Sequence, residues 1–147
     1  MPKTRLILAA IGFIFFCNTE GWGADWRFLG ENEEYQFYFD NESITRLSEN
    51  VLRIWVKSVF TNKGVIEHIK TLGIKYENLD HSMGLFELNC VKKTTRDLSV
   101  TFYSKGGGIL GSTATDENFK VAGQWEFIIP ETFAESIYRE VCKQSKK

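Results

Sequence analysis

Hydrophobic and polar residues alternate along several short segments of this chain. Over residues 35–40, an aromatic side chain occupies every second position, at Tyr35, Phe37 and Phe39. The longest alternating run is 51–60, which places an aliphatic or aromatic set on one side of the chain. A period of two is typical of a strand with one buried face. We therefore predict strands at both places, with the apolar side facing the core.

The same period returns in the second half of the chain. Phe86, Leu88 and Cys90 share one face of a strand predicted over 83–90, opposite Glu87. Another alternating segment covers 98–102, three glycines follow at 106–108, and 109–115 can pair back as a hairpin. These connections are too short for parallel crossovers. We predict an antiparallel meander of about five or six strands.

The segment 65–82 is the least regular part of the chain. Ile66, Ile69 and Leu72 have helical spacing, but Gly73 and the polar residues after it interrupt the pattern. We predict a loop-rich connection that contains one or two helical turns.

The period changes to that of a helix near the C-terminus. Thr132 and Glu135 have the spacing of a capping box, and Phe133, Ile137 and Val141 then form one apolar stripe. An amphipathic helix of this kind buries its stripe against a sheet. The predicted fold class is therefore α+β, with the C-terminal helix packed on one face of the antiparallel sheet.

The N-terminus has the organisation of a signal peptide. Lys3 and Arg5 precede an apolar run over 6–17, and a short polar stretch follows up to residue 23. The run is too short to cross a bilayer, which takes roughly 20 apolar residues. Cleavage after Gly23 or Ala24 leaves a single predicted domain, 24–147, with no transmembrane segment.

The predicted mature chain is exported from the cytoplasm. A lipid anchor at Cys17 is not expected, because the bulky Phe16 precedes it where lipoproteins have a small residue. Removal of 1–23 leaves a net charge of −2, which offers no long-range attraction for nucleic acid or an anionic membrane.

Two cysteines remain after the signal peptide, Cys90 and Cys142. The first lies on the apolar face of a predicted strand, and the second lies beside the apolar stripe of the predicted helix. In an exported protein this placement favours a disulfide between helix and sheet. Two buried free thiols remain an alternative, and a metal site is a weaker one, because neither His68 nor His81 has ligand spacing to either cysteine.

The sequence offers little support for an enzyme or a cofactor site. Residues 106–111 match the pattern G-x-G-x-x-G, but a dinucleotide site needs a helix after this loop, and the residues that follow are typical of strand and turn. His68 and His81 have no activated nucleophile associated with them. We predict a non-enzymatic protein without a cofactor or metal.

The side of the 51–60 strand that points away from the core suggests a binding surface. Tryptophan and tyrosine beside cations are common in protein recognition. The predicted surface consists of Arg53, Trp55, Lys57, Tyr38 and Tyr103. The alternative is that Trp55 packs beneath a loop or against Trp26. Trp125, just before the C-terminal helix, is predicted to lie in the core.

Several of these features occur together in one known family. They are Trp26 and Gly30 near the mature start, Tyr38-Phe39-Asp40 followed by Ser43-Ile44, the strand Val51-Leu52-Arg53-Ile54-Trp55-Val56-Lys57, the segment Phe86-Glu87-Leu88-Asn89-Cys90 and the ending Pro130 to Cys142. In this order they resemble the surface-adhesin protein E family of bacteria.

This resemblance implies a twisted antiparallel sheet with a C-terminal helix held by a Cys90–Cys142 disulfide. It also implies a location in the periplasm or on the outer surface of a bacterium, since characterised relatives are surface proteins that bind matrix and serum proteins such as vitronectin, laminin and plasminogen. We therefore expect a host matrix or serum protein, or an envelope component, as the ligand. The alternative is a periplasmic accessory or structural domain with no host ligand. A pocket that gathers His68, His81 and a carboxylate would instead favour an enzyme.

Overall fold

The computed structural model describes residues 23–113 and 123–144, which form one antiparallel sheet with two α-helices. The strands within these residues are β1 (Trp26–Glu31), β2 (Tyr35–Asp40), β3 (Thr45–Arg46), β4 (Val51–Phe60), β5 (Leu79–Asn89), β6 (Thr94–Ser104), β7 (Ile109–Ser112) and β8 (Glu126–Phe127). Six of them follow the order β1-β2-β4-β5-β6-β7, while β3 pairs with β4 and β8 pairs with β6. The predicted antiparallel meander is confirmed. The predicted signal peptide, up to residue 22 and including Cys17, lies outside the described residues.

The C-terminal helix α2 (Phe133–Gln144) begins where the sequence predicted. The Thr132 hydroxyl accepts a hydrogen bond from the Glu135 amide at 3.4 Å. The Glu135 carboxylate accepts from the amide of Glu131 at 2.8 Å rather than from that of Thr132. It also pairs with Arg139 one turn later, at 2.9 Å. A carboxylate in the first turn stabilises this end of the helix, because the N-terminal end carries a partial positive charge.

The main core lies between α2 and the middle of the sheet. Ile137 and Val141 of the helix are almost completely buried there. The buried sheet residues in this cluster are Phe39, Leu52, Ile54, Val56 and Leu88. All five come from the apolar sides of strands β2, β4 and β5, so the alternation seen in the sequence sets the core face.

A disulfide between Cys90 and Cys142 joins the end of β5 to the last turn of α2. Their Cα atoms are 5.5 Å apart, which suits a disulfide. The Tyr138 hydroxyl donates to the Cys90 carbonyl at 3.2 Å beside it. The predicted bond is therefore confirmed, and it replaces the two alternatives of free thiols and a metal site. Closing a loop of this length stabilises the fold by about 4 kcal/mol in the chain-entropy model.

The prediction of a loop-rich segment over 65–82 was wrong. An eleven-residue helix, α1 (Asn62–Leu72), occupies its first half, and β5 begins at Leu79 instead of residue 83. The Thr61 hydroxyl caps α1 by accepting from the Gly64 amide at 3.2 Å. Gly73, which was taken to weaken a helix, ends it instead: its φ is 100°, and its amide donates to the Ile69 carbonyl. A short 3₁₀ turn, Ile74–Tyr76, follows.

A second cluster lies beneath α1, on the same face of the sheet as α2. Its buried residues are Tyr76, Leu79 and Phe102, and Val65 and Ile69 of α1 pack against them. Phe102 lies opposite Ser82 in the β5–β6 register. Both described helices therefore cover the same face, which we call the covered face.

Candidate protein-binding face

The other side of the sheet, which we call the open face, is formed by alternate residues of the same strands. In antiparallel pairs, residues directly opposite each other point to the same face. The register therefore places one row of side chains together across β2, β4, β5 and β6. The open face includes Phe28, Tyr38, Arg53, Trp55, Lys57, Met83, Leu85, Glu87, Arg96 and Tyr103.

Trp55 lies in the middle of β4 with its side chain on the open face. It is 38 % exposed, whereas its neighbours Ile54 and Val56 are 0 % and 2 % exposed on the covered face. The Trp55 amide donates to the Ser43 hydroxyl at 3.0 Å. That hydroxyl in turn donates to the Asp40 carbonyl at 2.7 Å, which fixes the chain beside β4. Trp55 is thus held by its backbone, and more than a third of the residue is open to solvent.

Tyr38 and Lys57 are direct cross-strand neighbours on this face. The Tyr38 ring meets the Phe28 ring edge-on at 5.5 Å, and Phe28 itself is 55 % exposed. The Lys57 ammonium lies 6.0 Å from the Trp26 ring, at the outer range of a cation–π contact. Four of the five predicted binding residues therefore lie together on the neighbouring strands β2 and β4: Tyr38, Arg53, Trp55 and Lys57.

Tyr103 shares the open face but lies two strands away from β4. Its ring stacks on His81 with centroids 5.0 Å apart and an interplanar angle of 11°. The His81 Nδ1 is 2.7 Å from a carboxylate oxygen of Asp80. Tyr103 is thus at the margin of the surface formed around Trp55.

The centre of the open face holds a charged group that the sequence did not indicate as a site. Glu87 is 0 % exposed although it lies on the side of β5 away from both described helices. Arg53 contacts its Oε1 through Nε at 3.0 Å and Nη2 at 2.6 Å. Arg96 contacts its Oε2 through Nε at 2.7 Å and Nη2 at 2.6 Å. We call these three residues the Arg–Glu–Arg triad.

The triad ties three neighbouring strands together. Glu87 lies directly opposite Arg53 of β4 and Arg96 of β6. Burial alone raises the pKa of the Glu87 carboxyl, but the hydrogen bonds and charges of the two arginines outweigh burial and hold the pKa below its usual value. Glu87 is therefore ionised at neutral pH and the triad has one positive charge in excess.

Trp125 covers one end of the triad, and the prediction that it belongs to the core was wrong. It is 40 % exposed and its ring lies 4.6 Å from the Arg96 guanidinium carbon. The cause is the short strand β8, which pairs with the start of β6 and brings Trp125 over Arg96. A tryptophan stacked on an arginine keeps the guanidinium in one orientation.

The two histidines lie on opposite faces of the sheet. His68 of α1 packs among the rings of Phe60 and Phe102, at 4.7 and 5.4 Å, on the covered face. Burial lowers the pKa of His68, and this outweighs the charge of Glu34, which raises it. His68 also lines a cleft of about 240 Å³ between the helices. His81 points to the open face, so the pocket that would favour an enzyme does not form.

The glycine motif at 106–111 lies in the hairpin between β6 and β7. The Ser104 amide donates to the Gly108 carbonyl at 2.8 Å, and Gly107 has a φ of 82°, which suits glycine. A strand follows the loop, whereas a dinucleotide site needs a helix there. The motif is a hairpin turn.

Across 23–113 and 123–144, side chains of His, Cys, Asp and Glu form no cluster of three or more with the arrangement of a metal site. Neither described helix has the length and apolar composition needed to span a membrane.

A family model described as surface-adhesin protein E matches residues 26–143, from β1 almost to the end of α2. The chain belongs to the surface-adhesin protein E family. No curated protein and no solved structure matches the chain. Membership in the surface-adhesin protein E family indicates a surface-adhesin-like protein, suggests an exported or surface location and favours a non-enzymatic role.

Proposed function

We propose that this protein is exported, acts without catalysis and binds another protein through the open face. The ligand is a host matrix or serum protein or a component of the bacterial envelope. Family membership supports adhesion as the general role. The surface around Trp55 supplies the chemistry for it.

The observation that carries this proposal is the exposure of Trp55 between two cations. Arg53 and Lys57 flank it along the same face of β4, and Tyr38 lies beside Lys57 on β2. Tryptophan, tyrosine and arginine dominate the binding energy of many protein interfaces, because each has a large contact area and a polar or charged end. A stable strand also presents these groups in fixed positions.

Export is part of the proposal and has its own support. The segment 1–23 has the sequence of a cleavable signal, and a Cys90–Cys142 disulfide is typical of proteins outside the cytoplasm. Fractionation of the native host, with N-terminal sequencing of the product, tests this part. We expect a chain that starts at Ala24 or Asp25 in the periplasm or on the surface. A cytoplasmic chain that keeps Met1 would contradict it.

Binding is tested by capture of proteins from envelope extract and from a panel of purified matrix and serum proteins. The mature wild type is compared with Trp55→Ala and with Ile66→Ala, which removes an exposed apolar side chain of α1. We expect Trp55→Ala to lose the captured protein and Ile66→Ala to keep it. Equal capture by all three chains would remove the open face as the binding surface.

A further inference from the structure

We propose that the Arg–Glu–Arg triad is a receptor for a carboxylate on the protein ligand, with Glu87 as the residue that positions both arginines. This inference rests on the proposed function, because it assigns the chemistry of recognition on the same face. It specifies an acidic polypeptide segment as the ligand class.

The first support is the number of hydrogen-bond donors that the triad leaves unused. Each arginine contacts Glu87 through Nε and Nη2 only. A guanidinium has further N–H donors, on Nη1 in particular. Within the described residues, these Nη1 groups make no other hydrogen bond. The side chains of Arg53 and Arg96 are 41 % and 32 % exposed, so the free donors are open to a ligand.

The second support is the placement of the two guanidiniums. They bind different oxygens of one carboxylate from the neighbouring strands β4 and β6, so they lie on either side of Glu87. Glu87 itself is 1 % exposed in its side chain and cannot reach a ligand. Its role is therefore to hold two cations in fixed positions on one face of the sheet. A ligand meets a preformed pair of donors and does not have to order two flexible side chains.

The third support is the aromatic boundary of the triad. Trp125 stacks on Arg96, and Trp55 follows Arg53 on the same face two residues along β4. Both rings are more than one third exposed. They offer apolar contact to the residues around a bound carboxylate and reduce its hydration, which strengthens the charge-assisted bonds.

Charge and geometry together favour a carboxylate of a polypeptide. The predicted mature chain is acidic overall, yet the triad has one positive charge in excess and Lys57 adds another on the same face. Glu87 takes the Nε and Nη2 side of each guanidinium, but Nη1 and the second N–H of Nη2 still form two parallel donors that match a carboxylate. A polypeptide also brings side chains that can pack on Trp55 and Trp125.

The test measures binding of a synthetic peptide of alternating glutamate and tyrosine, beside a matched peptide of glutamine and tyrosine. The mature wild-type chain should bind the glutamate peptide about tenfold tighter, as expected for one charge-assisted bidentate contact. Arg96→Lys keeps the charge but loses the fork, and it should remove most of this preference. Lys70→Gln, on the exposed side of α1, serves as the control and should have no effect.

Glu87→Gln separates positioning from simple attraction. This change makes the face more positive, so simple attraction predicts tighter binding of the glutamate peptide. Loss of positioning predicts weaker binding, which is the result we expect. Thermal unfolding of each variant shows whether it is folded. If Glu87→Gln is unfolded, Arg53→Lys, whose side chain is partly exposed, replaces it and should weaken binding as Arg96→Lys does.

Three results would overturn the inference. The first is tighter binding by Glu87→Gln, and the second is unchanged binding by Arg96→Lys. The third is triad-dependent binding of heparin oligosaccharides without binding of the glutamate peptide, which would assign a sulfated polysaccharide instead. If Trp55→Ala abolishes capture while both arginine variants retain it, the proposed function stands and the triad inference fails.

Discussion

The two faces of one sheet differ sharply in what their side chains do. On β4, Ile54 and Val56 are buried beneath α2, while Trp55 between them is exposed on the open face. The same strand therefore serves the core and the candidate binding surface at alternate positions. Substitutions at neighbouring residues should consequently have effects of different kinds, on stability on one face and on binding on the other.

The faces also achieve order in different ways. The covered face is held by apolar packing and by the Cys90–Cys142 disulfide. The open face is held at its centre by a buried carboxylate, Glu87, which fixes Arg53 and Arg96. Charged groups can remain exposed there and still have defined positions. This is the property that a recognition surface needs.

The largest expected effect is on the covered face. Replacement of both Cys90 and Cys142 by serine should lower the free energy of unfolding by about 4 kcal/mol, because the unfolded chain regains the entropy of the open loop. Urea unfolding of the mature chain measures this change. Chemical reduction of the wild type should give the same loss, and an unchanged midpoint after reduction would contradict the role of the disulfide.

A matched pair of neighbours on β4 compares the two faces directly. Ile54→Ala should cost about 3 kcal/mol, because it leaves a cavity in the core under α2. Trp55→Ala should cost less, about 1 to 2 kcal/mol, since the residue is 38 % exposed and its loss leaves no closed cavity. Thermal and urea unfolding of both variants test this. Equal destabilisation would mean that Trp55 is a packing residue and that the faces do not differ in role.

Glu87→Gln should have an intermediate effect of about 2 kcal/mol, because two partly exposed arginines lose their charged partner. The effect should depend on pH. The folded pKa of Glu87 lies below its usual 4.5, so its stabilising contribution is present above that value and is lost as pH falls through the folded pKa. Unfolding curves at several pH values should show wild type and Glu87→Gln converging in acid. A constant difference would contradict ionisation as the source.

The smallest expected effect concerns His68 on the covered face. Its pKa is lowered from 6.5 by burial, so the neutral ring is favoured in the folded state. The contribution of His68 to the free energy of unfolding is therefore complete above pH 6.5. It declines as the pH falls from 6.5 through the lower pKa of the folded state. His68→Phe should remove this shallow slope without affecting capture of a ligand. An identical pH profile in the two chains would show that His68 makes no contribution.

Local periodicity was enough to predict most of the fold. The period of two predicts the strands β2 and β4 and the β6–β7 hairpin, and the apolar stripe with its cap predicts α2. The cysteine pairing followed because each residue lies on a face that points to the same interface. The helix α1 was predicted too short, as one or two turns, because a glycine such as Gly73 can either interrupt a helix in its interior or end it at its C-terminus. Only the packing of α1 against Tyr76 and Phe102 in the folded chain shows that Gly73 ends the helix here.

The candidate site was predictable only in part. The alternation on β4 placed Arg53, Trp55 and Lys57 on one side, and their position opposite the core is confirmed. The alternation on β5 also placed Glu87 opposite Phe86 and Leu88. The local pattern does not predict the register between β4 and β5. The contact of Glu87 with Arg53, 34 residues earlier in the chain, therefore could not be inferred. Trp125 was misplaced for the same reason, because its position depends on β8 pairing with β6.

The claim that the open face is the binding surface is tested most directly by oxidative footprinting of the mature protein with and without its captured ligand. Trp55 and Trp125 report on the open face, while Ile66 and Ile74 report on the helical side, and all four are exposed in the free protein. We predict that the ligand protects both tryptophans and leaves the two isoleucines unchanged. Protection of Ile66 and Ile74 with full oxidation of Trp55 and Trp125 would contradict the account.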